Sequence, residues 1–96
     1  MDFVQIIEYR TSQPEEMTAL GEKWLAATEG KRTLVWELTG ADRDDPGRYV
    51  QVVEFESYES AMRNSELPET QEIAEQTAKL CDGPVRFLNL DVVDRH

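Results

Sequence analysis

Cysteine, histidine and positive charge are all scarce in this chain. Cys81 is the only cysteine, so no disulfide can close within one copy. That usage suits a reducing cytoplasm. His96, the only histidine, stands at the last position, and no Ser-His-Asp set, CxxC pair, P-loop or dinucleotide fingerprint is present. Twenty acidic residues face ten basic ones, for a net charge of −10. Such a surface repels phosphate backbones and anionic headgroups, which argues against a nucleic-acid or membrane-surface role. No run approaches the ~20 apolar residues of a membrane span. The apolar start, MDFVQIIEYR, is too short for a signal peptide and has no basic leader. A cytoplasmic, soluble protein is the expectation.

At 96 residues the chain is one domain. A domain this small buries a modest fraction of its unfolded surface, and oligomerisation is a common way to add to the core.

What is present divides cleanly into strands and helices. FVQIIEYR (Phe3–Arg10) is β-branched and aromatic, hence a strand. TSQPEE then opens a helix: Thr11 or Ser12 can cap, Pro14 suits the first turn, and Glu15 and Glu16 favour the positive helix end. Met17, Leu20, Trp24, Leu25 and Thr28 recur at helical spacing, predicting a helix over Pro14–Thr28 that stops near Gly30. Arg32–Thr39 and Tyr49–Glu56 read as strands around a polar turn, GADRDDPGR. Ser57 caps a helix running to about Ser65. Leu67-Pro68 interrupts it, because the residue before proline leaves the helical region. Pro68 then starts a second helix to Leu80, with Glu75 and Lys79 spaced for an i,i+4 pair. Val85–Val93 is the last strand and Asp94–His96 a frayed tail.

The order βαββααβ, with two crossovers flanking one hairpin, predicts an α+β ferredoxin-like fold. Its four-stranded antiparallel sheet carries the helices on one face. The other face should then be polar if it met water. It is not. Phe3, Ile7 and Tyr9 oppose Val4 and Ile6; Tyr49, Val53 and Phe55 oppose Val50 and Val52; Val85, Phe87 and Val93 oppose Leu88, Leu90 and Val92. Both faces are apolar, and so large an exposed patch needs a cover. A second copy, docked sheet to sheet in a closed barrel, is the economical one. A partner protein on the same face is the alternative.

Three stretches carry a family resemblance: FVQIIEYRTSQPEE, VVEFESYESAM and RNSELPETQEIAEQTAKLCDGPVRFLNLDVV. With them the whole chain resembles the antibiotic biosynthesis monooxygenase-like family of the dimeric α+β barrel superfamily. The resemblance implies a homodimer with a pocket in each subunit between sheet and helices, near the helix break. It also implies a small, aromatic ligand and cofactor-free oxygenation, with no metal or flavin. The chain departs from the active patterns. Many members carry a histidine around the stretch Arg63-Asn64-Ser65 and often a second in Pro68–Gln71. Here Asn64 stands in the first stretch and no histidine in the second. The haem-degrading members use an Asn, a Trp and a His. Here Tyr9 falls near the place of that Asn, and Ser57–Leu80 holds neither Trp nor His.

The pocket candidates are Trp24, Trp36, Tyr58, Met62, Asn64 and Leu67. Each has a plainer reading. Trp24 lies on the apolar stripe of the first helix, where core packing is the commoner role, and Trp36 alternates with Leu34 and Leu38 along its strand. Met62 suits either a core or an adaptable pocket. Tyr58 has a hydroxyl to offer, although amphipathic packing is its commoner use. Asn64 can cap or face water, or turn its amide to a phenol or carbonyl oxygen. The strand charges Glu8, Arg10, Glu37 and Glu54 are exposed pairs or a buried general base, according to a register that remains open here. Asp42, Asp44 and Asp45 lack a calcium-loop frame. Cys81, at a helix C-terminus, is not placed as a nucleophile. A non-catalytic binding module of the same fold is the competing reading of the whole chain.

Overall fold

The computed structural model describes residues 1–96. Its elements are β1 (Phe3–Arg10), α1 (Pro14–Ala27), β2 (Leu34–Ala41), β3 (Arg48–Phe55), α2 (Tyr58–Glu66), α3 (Pro68–Leu80) and β4 (Arg86–Asp91). The strands form one antiparallel sheet in the order β2-β3-β1-β4. This is the expected α+β ferredoxin-like arrangement. α1 crosses over β3, and the α2–α3 pair crosses over β1. No helix is long and apolar enough to cross a membrane.

Local chemistry explains most element ends. Ser57, with extended backbone, accepts the Ser60 N–H on its hydroxyl at 3.0 Å and caps α2. Leu67 sits at φ −59°, ψ 131°, and Pro68 opens α3 on a new heading. Gly30 follows α1 at φ +80°, a conformation that glycine adopts without strain. The start of α1 differs from expectation, because Gln13 occupies the cap position and no side chain caps it. Thr11 sits one turn position too early. Its hydroxyl accepts the Gln13 N–H at 3.0 Å and donates to the Leu80 carbonyl at 2.7 Å, tying the end of α3 to the end of β1. Glu75 and Lys79 form no ion pair; Lys31 reaches Glu69 instead, at 2.6 Å.

β2 begins two residues later than its composition predicts, and it contains a bulge between Leu34 and Trp36. Thr33 explains the late start. Its backbone N–H goes to the Asn64 side chain and so is not free for the sheet ladder, and its hydroxyl donates to the Ser60 carbonyl. The bulge inserts one residue and reverses the alternation. Leu34 pairs with Phe55 and joins the core, whereas Trp36 pairs with Glu54 and Leu38 with Val52. The simple alternation of Leu34, Trp36 and Leu38 on one face is therefore corrected: only Trp36 and Leu38 share a face.

The core lies between the sheet and α2. Phe3, Val53, Phe55 and Ala61 are buried together, with Ile7, Leu34 and Met62 packed around them. On the other face Val4, Ile6, Val50, Val52 and Leu88 are half-buried, and Trp36, Leu38 and Leu90 are exposed. Only 10 of 96 residues are buried, fewer than a well-filled single domain of this size would hold, so a large apolar sheet face stands without cover from its own chain.

Candidate ligand cleft

The helix layer is tied together by polar bonds more than by hydrophobic filling. Trp24 of α1 is buried and donates its indole N–H to the Thr70 hydroxyl of α3 at 2.8 Å. It is the only fully buried residue of α1, and α3 has none. A helix packed flush on a sheet buries its inward stripe. Here Met17, Leu20, Ile73, Thr77 and Leu80 stay half-buried, as do Gln5, Ile7 and Tyr9 in a central strand. The α1–α3 pair thus covers this part of the sheet incompletely.

Strand register puts polar side chains on the sheet face beneath these helices. Gln5 and Gln51 alternate with Phe3, Ile7 and Val53, and so face the helices. Gln5 donates to Asn89 Oδ1 at 3.1 Å, and Gln51 to Glu37 Oε2 at 2.9 Å. Sequence reasoning weighed Glu37 without a side and missed Gln5, Gln51 and Asn89. The alternation of Gln5 with Phe3 and Ile7 was the available signal; the pairing partner was not.

Asn64 is a buried polar residue at the α2 end of the helix layer. It is buried in α2, one turn before the Leu67-Pro68 break, and Leu67 donates its N–H to the Asn64 carbonyl at 3.4 Å. Its Oδ1 accepts the Thr33 N–H at 3.1 Å, which fixes that end of the amide as oxygen. Its Nδ2 donates to no atom of the chain, and no fully sealed side-chain nitrogen or oxygen is left unpaired, so Nδ2 reaches accessible space. Met62 packs at the edge of the core cluster and Leu67 is half-buried at the break. Tyr58 is half exposed, edge-on to Phe3 with ring centroids 5.5 Å apart.

Trp36 does not share this site. Its indole N–H donates to Glu54 Oε1 at 3.1 Å on the far face of the sheet, a consequence of the bulge. Five of the six candidates thus lie in the helix layer, and the sixth borders the uncovered apolar face.

Two open surface grooves lie away from the helix layer. One of about 250 Å³ runs between Asp2 and Val92–Arg95. The other, about 260 Å³, is lined by Glu8, Tyr9, Arg10, Arg48, Asp82, Pro84 and Arg86. Several of its charges are already paired: Arg48 bridges Glu8 and Asp42 at 2.9 Å each, and Arg10 pairs with Asp45. Beside it, burial pushes the Tyr9 hydroxyl pKa up, with Cys81 and Tyr49 adding to the effect. Burial, then the Asp82 carboxylate, pushes the Cys81 thiol up as well. A thiol held in its neutral form is a poor nucleophile.

Comparison with solved structures gives the fold its relatives. SnoaB, a cofactor-independent oxygenase from Streptomyces nogalater, superposes with a TM-score of 0.82 at 13% identity, covering 98% of this chain and 95% of its own. A structure described as an antibiotic biosynthesis monooxygenase matches with a TM-score of 0.77 at 13% identity, over 98% of this chain and all of the other. The fold is that of the antibiotic biosynthesis monooxygenases. A conserved protein from Methanosarcina mazei Go1 has it too, with a TM-score of 0.82 at 10% identity over 94% and 91% of the two chains. No protein-family model matches the sequence, and no curated protein matches it either. At these identities the likeness is one of fold, and activity has to be argued from the site.

Proposed function

We propose that this chain is a small oxygenase of the monooxygenase-like type, acting as a homodimer and taking a planar phenolic substrate in the cleft beneath α1 and α3. The observation that carries the reading is the free Nδ2 of Asn64. A buried amide with one end pinned and the other open is an oriented hydrogen-bond donor, suited to a phenolate or carbonyl oxygen. Trp24, Met62 and Leu67 supply apolar walls, and Tyr58 stands at the rim. The loose cover of the sheet under α1 and α3 and the fold shared with a cofactor-independent oxygenase support the same reading.

The chemistry asks little of the protein beyond orientation. An anthrone-type substrate loses a proton from its activated CH2 carbon, and the carbanion adds to O2 to form a C–O bond. The peroxide takes up a proton. The carbon then loses its second proton as the O–O bond breaks, leaving a quinone and one water. Substrate supplies the electrons and O2 accepts them, so neither metal nor flavin is needed. Asn64 would steady the negative oxygen as it develops.

The second subunit docks on the uncovered sheet face. Val4, Ile6, Leu38, Val50, Val52, Leu88 and Leu90 form one apolar surface, and joining two such faces completes a barrel.

One observation favours a second reading, in which the cleft binds a ligand without turning it over. The polar groups on its floor pair with each other, Glu37 with Gln51 and Gln5 with Asn89. A panel of hydroxylated anthrones separates the two. Quinone formation above the buffer rate, lost in Asn64→Asp, supports the oxygenase. A ligand-induced rise in Tm with no turnover supports the binding module.

A further inference from the structure

The uncovered sheet face carries its charges in an unusual way. Four of the chain's ten cationic residues gather there: Arg10, Arg48 and Arg86 by strand alternation, and Arg95 through its contacts. With them stand Glu8 and Glu54, and at the rim Asp2, Asp42 and Asp45. Five carboxylates against four guanidiniums leave this region close to neutral, in a chain whose net charge is −10. The rest of the chain carries 15 acidic and 6 basic residues, so two copies that met there would on balance bring acid against acid. Here they meet with little repulsion, which argues for a second copy of this chain as the occupant.

Within the apolar part of the face there is one carboxylate, Glu54, and it is only 5% exposed. Both of its oxygens are engaged. Oε1 accepts the Trp36 indole N–H at 3.1 Å, and Oε2 accepts from Arg95 Nη2 at 2.9 Å. Arg95 comes from the segment after β4, which turns across the end of β1 and also reaches Asp2 at 3.3 Å. A partner offering its own cation would find both Glu54 oxygens already bonded. An apolar partner would find the charge already compensated.

The geometry points to Arg95 as the residue that makes this face able to accept a second copy, by neutralising Glu54 before the interface closes over it. This rests on the sheet-to-sheet pairing proposed above. Without Arg95, docking would bury a carboxylate held by one indole N–H, and an unpaired buried charge is costly. In an isologous dimer each substitution acts twice. A loss of about tenfold at each site therefore becomes about a hundredfold in the dimer dissociation constant.

The test is a dilution series by sedimentation velocity on the wild-type chain, Arg95→Ala, and Glu54→Gln combined with Arg95→Ala, with circular dichroism to confirm folding. The expected result is a wild type at twice the 11.1 kDa chain mass, a single variant shifted strongly towards monomer, and a double variant that recovers the dimer. The neutral amide that replaces the Glu54 carboxylate in the double variant brings no charge to bury. A wild-type dimer that Arg95→Ala leaves unchanged overturns the role of Arg95 and leaves the pairing standing. A weakened single variant that the second change fails to rescue also overturns it, assigning the loss to tail packing. A wild type that stays monomeric throughout overturns the pairing and this inference together.

Discussion

Asn64 Oδ1 accepts the backbone N–H of Thr33 at 3.1 Å, across 31 residues of chain. The bond makes Asn64 a structural residue, and in the proposed function an oriented donor as well, and two variants probe these roles. Asn64→Ala leaves the partly buried Thr33 N–H without its partner, at a cost of about 1–3 kcal/mol. For a domain this size that is about 4–8 °C of Tm per kcal/mol. Asn64→Asp keeps the acceptor and removes the NH2 donor. It also puts a carboxylate in a buried site with only the Thr33 N–H to hold it, so it too should lose stability at neutral pH, while abolishing any turnover or ligand-induced Tm rise that depends on Nδ2. Thermal unfolding and the anthrone assay, run on both variants, check this.

The Trp24–Thr70 bond should be worth more than a surface contact, because it is the polar tie between α1 and α3 in a layer with little buried area. Thr70→Ala strands the buried indole N–H and should cost about 1–3 kcal/mol. Trp24→Ala removes both the bond and the ring, with an expected cost of about 3–5 kcal/mol. Urea unfolding curves measure both. A Thr70→Ala variant as stable as wild type would show that α1 and α3 are held by other contacts.

The fold was readable because its signals are local. Ser57 caps, Leu67-Pro68 breaks, and the failed alternation in β1, β3 and β4 announces a second apolar face. The candidate site was less readable because its geometry is set by distant pairs. Nothing in the run LVW of β2 says where an extra residue enters, since all three side chains are apolar, so the bulge and the resulting side of Trp36 were hidden. Gln5 with Asn89, Trp24 with Thr70, and Glu54 with Arg95 lie 84, 46 and 41 residues apart. Each needed the sheet register or the helix docking before it could be seen.

Acid should weaken the hairpin end of the sheet first. The Asp44 backbone N–H, then Arg48, holds the Asp42 carboxyl below its usual range, and Arg10 does the same for Asp45. A depressed folded pKa contributes stability that is fully present above the unfolded value, near 4 for aspartate. It is lost as pH falls through the folded value. Stability should therefore hold steady above about pH 5 and decline below about pH 4. Arg10→Gln should flatten part of that decline, and added salt should do likewise, because these groups are exposed. Denaturant midpoints taken across pH in wild type and variant test the point.

Cys81 should alkylate slowly. Its thiol is pushed up by burial and by Asp82, so at neutral pH the thiolate is scarcer than in a free peptide. Iodoacetamide labelling followed by mass spectrometry should run slower in the folded chain than in urea at pH 7, and the folded rate should still be climbing with pH where the unfolded rate has levelled off. Fast labelling of the native protein would contradict the half-buried, neutral thiol.

Trp36 should report directly on whether the far sheet face is covered. In a single chain its ring is 40% exposed and its indole N–H is bonded to Glu54. Trp24 is buried whatever the state of assembly, so it contributes a constant background. Trp24→Phe removes that background and keeps an aromatic ring in place, leaving Trp36 as the only indole. Its emission should move to the blue as concentration rises through the dimer dissociation constant, because docking replaces water around the ring with the partner's side chains. Adding Leu38→Glu, which sets a charge on the same face beside Val52, should keep the emission red at every concentration. A blue shift that survives the added glutamate would mean that Trp36 is shielded by something other than a second copy on this face.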